Sequence, residues 1–131
     1  MLKTIPANQM PLEDLESKTF ATYLDDLVAY KKIRCFSHIP NETSIKHPGY
    51  LAKMKSMGKR RGVPDFVVIT VKKILFIEMK RQKNNKGKSA SVISRDQMLW
   101  INNIKKLNNE NVYAEICYGY NEAINFVNKH L

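Results

Sequence analysis

Between Leu12 and Ala29 apolar residues return at intervals of three and four, with Leu15, Phe20, Tyr23, Leu24 and Leu27 on one side, which predicts an amphipathic helix. Glu16 falls on that same side. Ile33 to Ile39 reads as a strand ended by Pro40 and the turn-prone Asn41, and the polar segment up to Pro48 reads as loop. Tyr50, Leu51, Met54 and Met57 then repeat with helical spacing while Lys53, Lys55 and Lys59 project elsewhere, so a short basic helix stopped by Gly58 is expected. Phe66 to Val71 and Ile74 to Met79 are strongly β-forming runs separated by Lys72 and Lys73. Their near-continuous apolarity predicts a buried central hairpin. After a polar, basic loop from Arg81 to Ser91, Ser94 is positioned to cap a helix reaching about Asn108, with Leu99, Trp100, Ile104 and Leu107 as its inward stripe. Val112 to Tyr118 completes the central strands. Gly119 turns the chain into a last helix that presents Ala123, Ile124 and Val127 inward. This order of elements describes an α/β sandwich, a mixed sheet flanked by helices.

Composition narrows the partners more than the fold. The chain has 131 residues, the size of one domain with one core, and residues 1–10 are expected to form a poorly ordered arm. Lys and Arg number 22 against 12 Asp and Glu, a formal charge of +10 that favours a polyanionic partner, nucleic acid first. No apolar run is long enough to span a bilayer and no signal-peptide pattern opens the chain, so a cytoplasmic protein without a membrane partner is expected. Its Lys- and Asn-rich composition suits a bacterial or phage-infected cell of AT-rich genome. Cys35 and Cys117 are far apart and lack zinc-site spacing, and both are read as reduced core thiols.

The chemistry concentrates on the hairpin. Glu78 and Lys80 in the string IEMK point to one face while Met79 points to the other. If the hairpin turns symmetrically at Lys72 and Lys73, Asp65 lies opposite Lys80 and diagonal to Glu78, roughly 7 to 8 Å away at the backbone. Two carboxylates from adjacent strands, with the Met79 carbonyl as a third oxygen, suit Mg²⁺, which keeps its remaining positions for water and phosphate oxygens. A lysine beside such a cation can orient or help deprotonate an attacking water. That combination performs phosphodiester hydrolysis.

Pro64 with Asp65, followed by Glu78-Met79-Lys80, resembles the PD-(D/E)xK nuclease signature. The longer series HIPNE, GVPDFVV, IEMK and the Ser94–Gln97–Trp100 spacing is similar to the VRR-NUC (virus-type replication-repair nuclease) family over roughly Glu13 to Val127. The resemblance implies a restriction-endonuclease-like core, with a metal held by Asp65 and Glu78 and with Lys80 as catalytic lysine. It also implies a helix residue, Gln97, completing the site and a first-helix glutamate near the metal. Glu16 is assigned that last role, with Glu13 one turn earlier as its rival. Mg²⁺ is the expected cofactor, with Mn²⁺ as a substitute. The small stand-alone members imply a homodimeric DNA endonuclease of branched substrates such as four-way junctions or flaps, active in DNA repair. The loop between Lys80 and Gln97 departs from the family in being longer and more basic.

Plainer roles exist for the same residues. Glu78 and Lys80 form an ion pair in the simplest view, although two charges inside an apolar hairpin call for a partner or a function. Gln97 stands at capping-box spacing from Ser94. Glu16 suits a first helical turn, His38 suits a surface, and Trp100 reads as core. The set Lys53, Lys55, Lys59, Arg60, Arg61, Arg81, Lys83, Lys86 and Lys88 surrounds both halves of the motif and is assigned to phosphate contact. A non-catalytic nucleic-acid-binding module and a sequence-specific restriction-type enzyme are the alternatives to a branched-DNA nuclease.

Overall fold

The computed structural model describes residues 3–40 and 47–131, so Asn41 and most of the loop before Pro48 lie outside the described residues. A single 3₁₀ turn, Ala7–Gln9, precedes α1 (Glu13–Ala29), β1 (Ile33–His38), α2 (Pro48–Ser56), β2 (Phe66–Thr70), β3 (Ile74–Lys80), α3 (Arg95–Lys105), β4 (Val112–Tyr118) and α4 (Tyr120–Asn128). The four strands lie in the order β1-β2-β3-β4, antiparallel except for the parallel pair β3 and β4. The fold is thus the mixed, helix-flanked α/β sheet expected. β4 is an edge strand rather than a central one.

Alternation along β2 and β3 divides the core into two layers. Phe66, Val68, Leu75, Ile77 and Met79 face Phe20 and Leu24 of α1 and Ala123 and Val127 of α4. On the other side, Phe76, Val112, Ala114 and Ile116 meet Trp100, Ile101 and Ile104 of α3. The inward stripe of α3 therefore contains Ile101, while Leu99 and Leu107 are 57% and 63% exposed. Both sets satisfy helical spacing, and the sheet surface selects between them. Neither does α2 use its apolar stripe for packing, since it buries no residue. Cys117 is buried as expected, but Cys35 is exposed.

The hairpin register differs from the symmetric one by two residues. Phe66 pairs with Ile77 and Ile69 with Ile74. Thr70 closes the turn by donating its N–H to the Lys73 carbonyl at 2.8 Å and accepting the Lys73 N–H on its hydroxyl at 2.8 Å. Val71 and Lys72 are therefore the turn residues, and Asp65 stands opposite Glu78 rather than Lys80. An even shift leaves every side chain on its expected face.

The described part of the N-terminal arm, residues 3–10, is held in place. Arg81 donates to the carbonyls of Asn8, Met10 and Pro11. Asn84 and Asn85 bind the backbone of Ile5 and Lys3. Arm and basic loop thus form one hydrogen-bonded unit at the end of β3.

Candidate active site

Proline explains where the site opens. In an antiparallel pair, hydrogen-bonded residues alternate with non-bonded ones, so Thr70–Lys73, Val68–Leu75 and Phe66–Ile77 are succeeded by Pro64 and Met79. Pro64 has no N–H to give, which ends the ladder. Met79 N–H donates instead to Asp65 Oδ2 at 2.8 Å. Because N–H and C=O of one strand residue point the same way, the Met79 carbonyl faces the Asp65 side as well.

Asp65, Glu78 and Lys80 come together on the α3 side of the sheet. Glu78 is 1% exposed and Lys80 4%. Burial, followed by the negative charge of Asp65, pushes the Glu78 carboxyl up to about 9, with Lys80 pulling the other way. Burial also raises Asp65, against the Met79 N–H that stabilises its ionised form. Two acids crowded in a desolvated place resist sharing their negative charge. Glu78 Oε2 is buried with no hydrogen-bond partner among the described residues. These hard oxygens and the Met79 carbonyl fit a small divalent cation, which uses one or two carboxylates and otherwise keeps water. The described residues gather no group of three His, Cys, Asp or Glu side chains, so a third protein carboxylate is not part of this set.

Lys80 is fixed by its acceptors. Its ammonium donates to the Val92 carbonyl at 3.0 Å and to Gln97 Oε1 at 2.9 Å, and stands 3.8 Å from Glu78 Oε1. Two of the three donors of the group are thus directed, and the third is left for a further acceptor on the Glu78 side. Gln97 makes both contacts at once, since the Oε1 that accepts from Lys80 also accepts the Ser94 N–H at 2.9 Å in a complete capping box. The rotation of α3 explains this: Ile101 and Ile104 turn toward the sheet, and Gln97 lies one turn earlier on that face.

Gly62 brings the Pro64 segment against α3. Its φ is +83°, and a Cβ there would stand 2.3 Å from the Asp96 carbonyl carbon and 2.6 Å from Gln97 N. Backbone cannot yield as a flexible side chain does. Gly62→Ala is expected to cost about 1–3 kcal/mol and to displace Gln97 from Lys80. Thermal melts should show it against Gly58→Ala as control, because Gly58 shares a positive φ but has no atom within 4 Å of the place its new methyl would take. Equal losses in both variants would leave backbone strain as the whole cause.

The two first-helix glutamates lie in different surroundings, and neither joins the Asp65–Glu78 set as a third acid. Glu16 is buried in the α1/α4 layer, where Oε2 accepts the Tyr120 N–H at 2.6 Å. It caps α4, whose N-cap Gly119 supplies no side chain, and it is not brought to the Asp65–Glu78 pair. Glu13 is the acid whose charge reaches Asp65. Its Oε2 accepts from Ser91 Oγ at 2.6 Å, and that hydroxyl in turn accepts the Arg81 N–H at 2.9 Å. His38 also acts on Asp65, lowering its carboxyl by charge, while its ring meets Phe66 edge-on.

Among the basic residues, Lys53, Lys55, Arg61, Lys83, Lys86 and Lys88 are exposed and Lys59 is partly so. Two arginines have other partners. Arg81 ties the N-terminal arm, and Arg60 donates to the Lys55 and Lys59 carbonyls. Sequence reasoning misses Gly62, the Val92 carbonyl and Ser91; of these only Gly62, the first residue of the GVPD string, carries a local signal.

This layered sheet has a counterpart among solved structures. A chain titled "VRR_NUC domain protein" superposes with a TM-score of 0.65 over 91% of this chain and 87% of its own, at 21% identity, which establishes a shared fold. Residues 14–121 match the VRR-NUC domain family, and the chain belongs to that family. Membership indicates a nuclease-type function. No curated protein matches the sequence. Among the described residues no helix is long and apolar enough to cross a membrane.

Proposed function

We propose that this chain is a divalent-metal-dependent endonuclease that hydrolyses DNA phosphodiesters, with branched DNA as its substrate. The observation that carries the reading is the meeting of Asp65, Glu78 and a Lys80 held by two acceptors on one face, where Pro64 opens the ladder. Asp65, Glu78 and the Met79 carbonyl would hold Mg²⁺, or Mn²⁺ in its place, and the bound cation supplies a more acidic water and neutralises charge on the phosphate. Lys80, oriented by Gln97 and Val92, holds the attacking water by hydrogen bonding and offsets developing negative charge. Glu13 and Ser91 steady the Arg81 backbone beside it. Lys53, Lys55, Lys59, Arg61, Lys83, Lys86 and Lys88 attract the phosphate backbone from both sides of the motif.

One chain holds one such site, so symmetric cutting of two strands requires a two-fold dimer. Exposed Met98 and Leu99 on α3, with Leu107 just after it, support self-association. The cytoplasm, where DNA is accessible, is the proposed place of action. Incubating linear duplex, flap and four-way-junction DNA with Mg²⁺, Mn²⁺ or EDTA tests the proposal. Metal-dependent cutting, fastest on the branched substrates, is expected. Salt-sensitive binding without cutting would make the chain a binding module, and discrete fragments from linear duplex would make it a restriction-type enzyme.

A further inference from the structure

Tyr118 ends β4 and pairs in register with Lys80. Neighbouring strands are about 4.8 Å apart, and residues paired in parallel register share a face, so Tyr118 and the proposed catalytic lysine leave the sheet side by side on the α3 side. It is only partly buried. Lys83, from the exposed basic loop, lays its ammonium over this ring at 4.3 Å from the centroid. Among the described residues no carboxylate pairs with Lys83, so the ring is the partner the structure gives that charge.

We infer that Tyr118 and Lys83 form a nucleotide subsite beside the scissile phosphate, in which Tyr118 stacks on an unpaired base and Lys83 binds that nucleotide's phosphate. A nucleotide offers a π-face and an anion together, the two groups that satisfy the ring and the ammonium separately. A cation–π contact at an exposed place is weaker than the stacking of a base on an aromatic ring, so exchange of the ammonium for a base is favourable. A paired base already has neighbours on both faces and must leave the stack to reach the ring. The subsite therefore selects single-stranded or unpaired nucleotides, such as those at a flap or a branch point. This inference rests on the nuclease reading for the position of the scissile phosphate, though not for the stacking itself.

The test is equilibrium binding in EDTA, which needs no cleavage. The probes are a single-stranded oligonucleotide carrying 2-aminopurine and the matching duplex. Tyr118→Leu is expected to weaken single-strand binding roughly tenfold or more and to abolish quenching of the probe, while Tyr118→Phe stays within about twofold of the wild type. Lys83→Met changes an exposed loop residue and leaves the fold intact. It should reduce the salt dependence of single-strand binding by about 0.7 in the log–log slope and retain the quenching. Duplex affinity should be the same in wild type, Tyr118→Leu and Tyr118→Phe. Wild-type-like single-strand affinity in Tyr118→Leu, or an unchanged salt slope in Lys83→Met, would overturn the inference. Should the wild type cut no DNA with any metal, the nuclease reading falls while these binding results still decide the subsite.

Discussion

Lys80→Met and Asp65→Asn are each expected to slow DNA cleavage by roughly 10²–10³-fold or more, with affinity for DNA nearly unchanged. The methionine retains the length of the lysine stem but removes the only positive charge in contact with Glu78 among the described residues. Its Val92 and Gln97 acceptors stay, and Gln97 keeps its bond to the Ser94 N–H, so the frame of the site survives. Lys80→Arg should not rescue the rate, because a longer, planar guanidinium cannot place its donors on the same two acceptors and keep one free for water. For Asp65→Asn the amide keeps the hairpin shape and loses a hard anionic oxygen. Steady-state rates on junction DNA, with filter binding as control, read both effects. A rate within tenfold of the wild type for either variant would remove that residue from the reaction.

Raising the pH from 5 to 9 in EDTA is expected to destabilise the wild-type protein relative to Glu78→Gln. Glu78 is raised from an ordinary 4.5 to about 9 in the fold, so between these values the native state binds a proton that the unfolded chain has lost. Stability from this group is complete below the lower value and is lost as pH climbs through the upper one. Asp65 is raised by burial too and acts in the same direction. Subtracting the Glu78→Gln melting curve removes the effect of the falling net charge. Mg²⁺ should reverse the loss in the wild type, because a cation bound only by the native state stabilises it, and should do little for Glu78→Gln. A difference in Tm between the two proteins that does not grow with pH would contradict the buried-acid picture.

Parity along strands is more durable than register. A symmetric turn puts the bend one residue too far along and Asp65 opposite Lys80 instead of Glu78, yet the period of two keeps the charged side chains on one face in either register. Periodicity serves less well for α3, where Leu99 and Leu107 are as apolar as Ile101 and only the sheet beneath decides which turns inward. Glu13 and Glu16 are separated by three positions on one helix side. Which of them reaches Asp65 depends on the loop after β3 and the start of α4, contacts made across 78 and 104 positions of the chain. Arg81 shows the same limit: its charge is plain in the sequence, but its acceptors are main-chain carbonyls of the N-terminal arm. The GVPD string marks Gly62 without giving the reason for it, a close approach to Asp96 that exists only once α3 packs against that segment.

The central claim is that Asp65 and Glu78 share one cation beside Lys80. Anomalous diffraction from crystals soaked in Mn²⁺ tests it most directly. The expected result is a peak between the two carboxylates and the Met79 carbonyl, lost in Asp65→Asn. A map with no peak at that place, or with one only at Glu16, would contradict it.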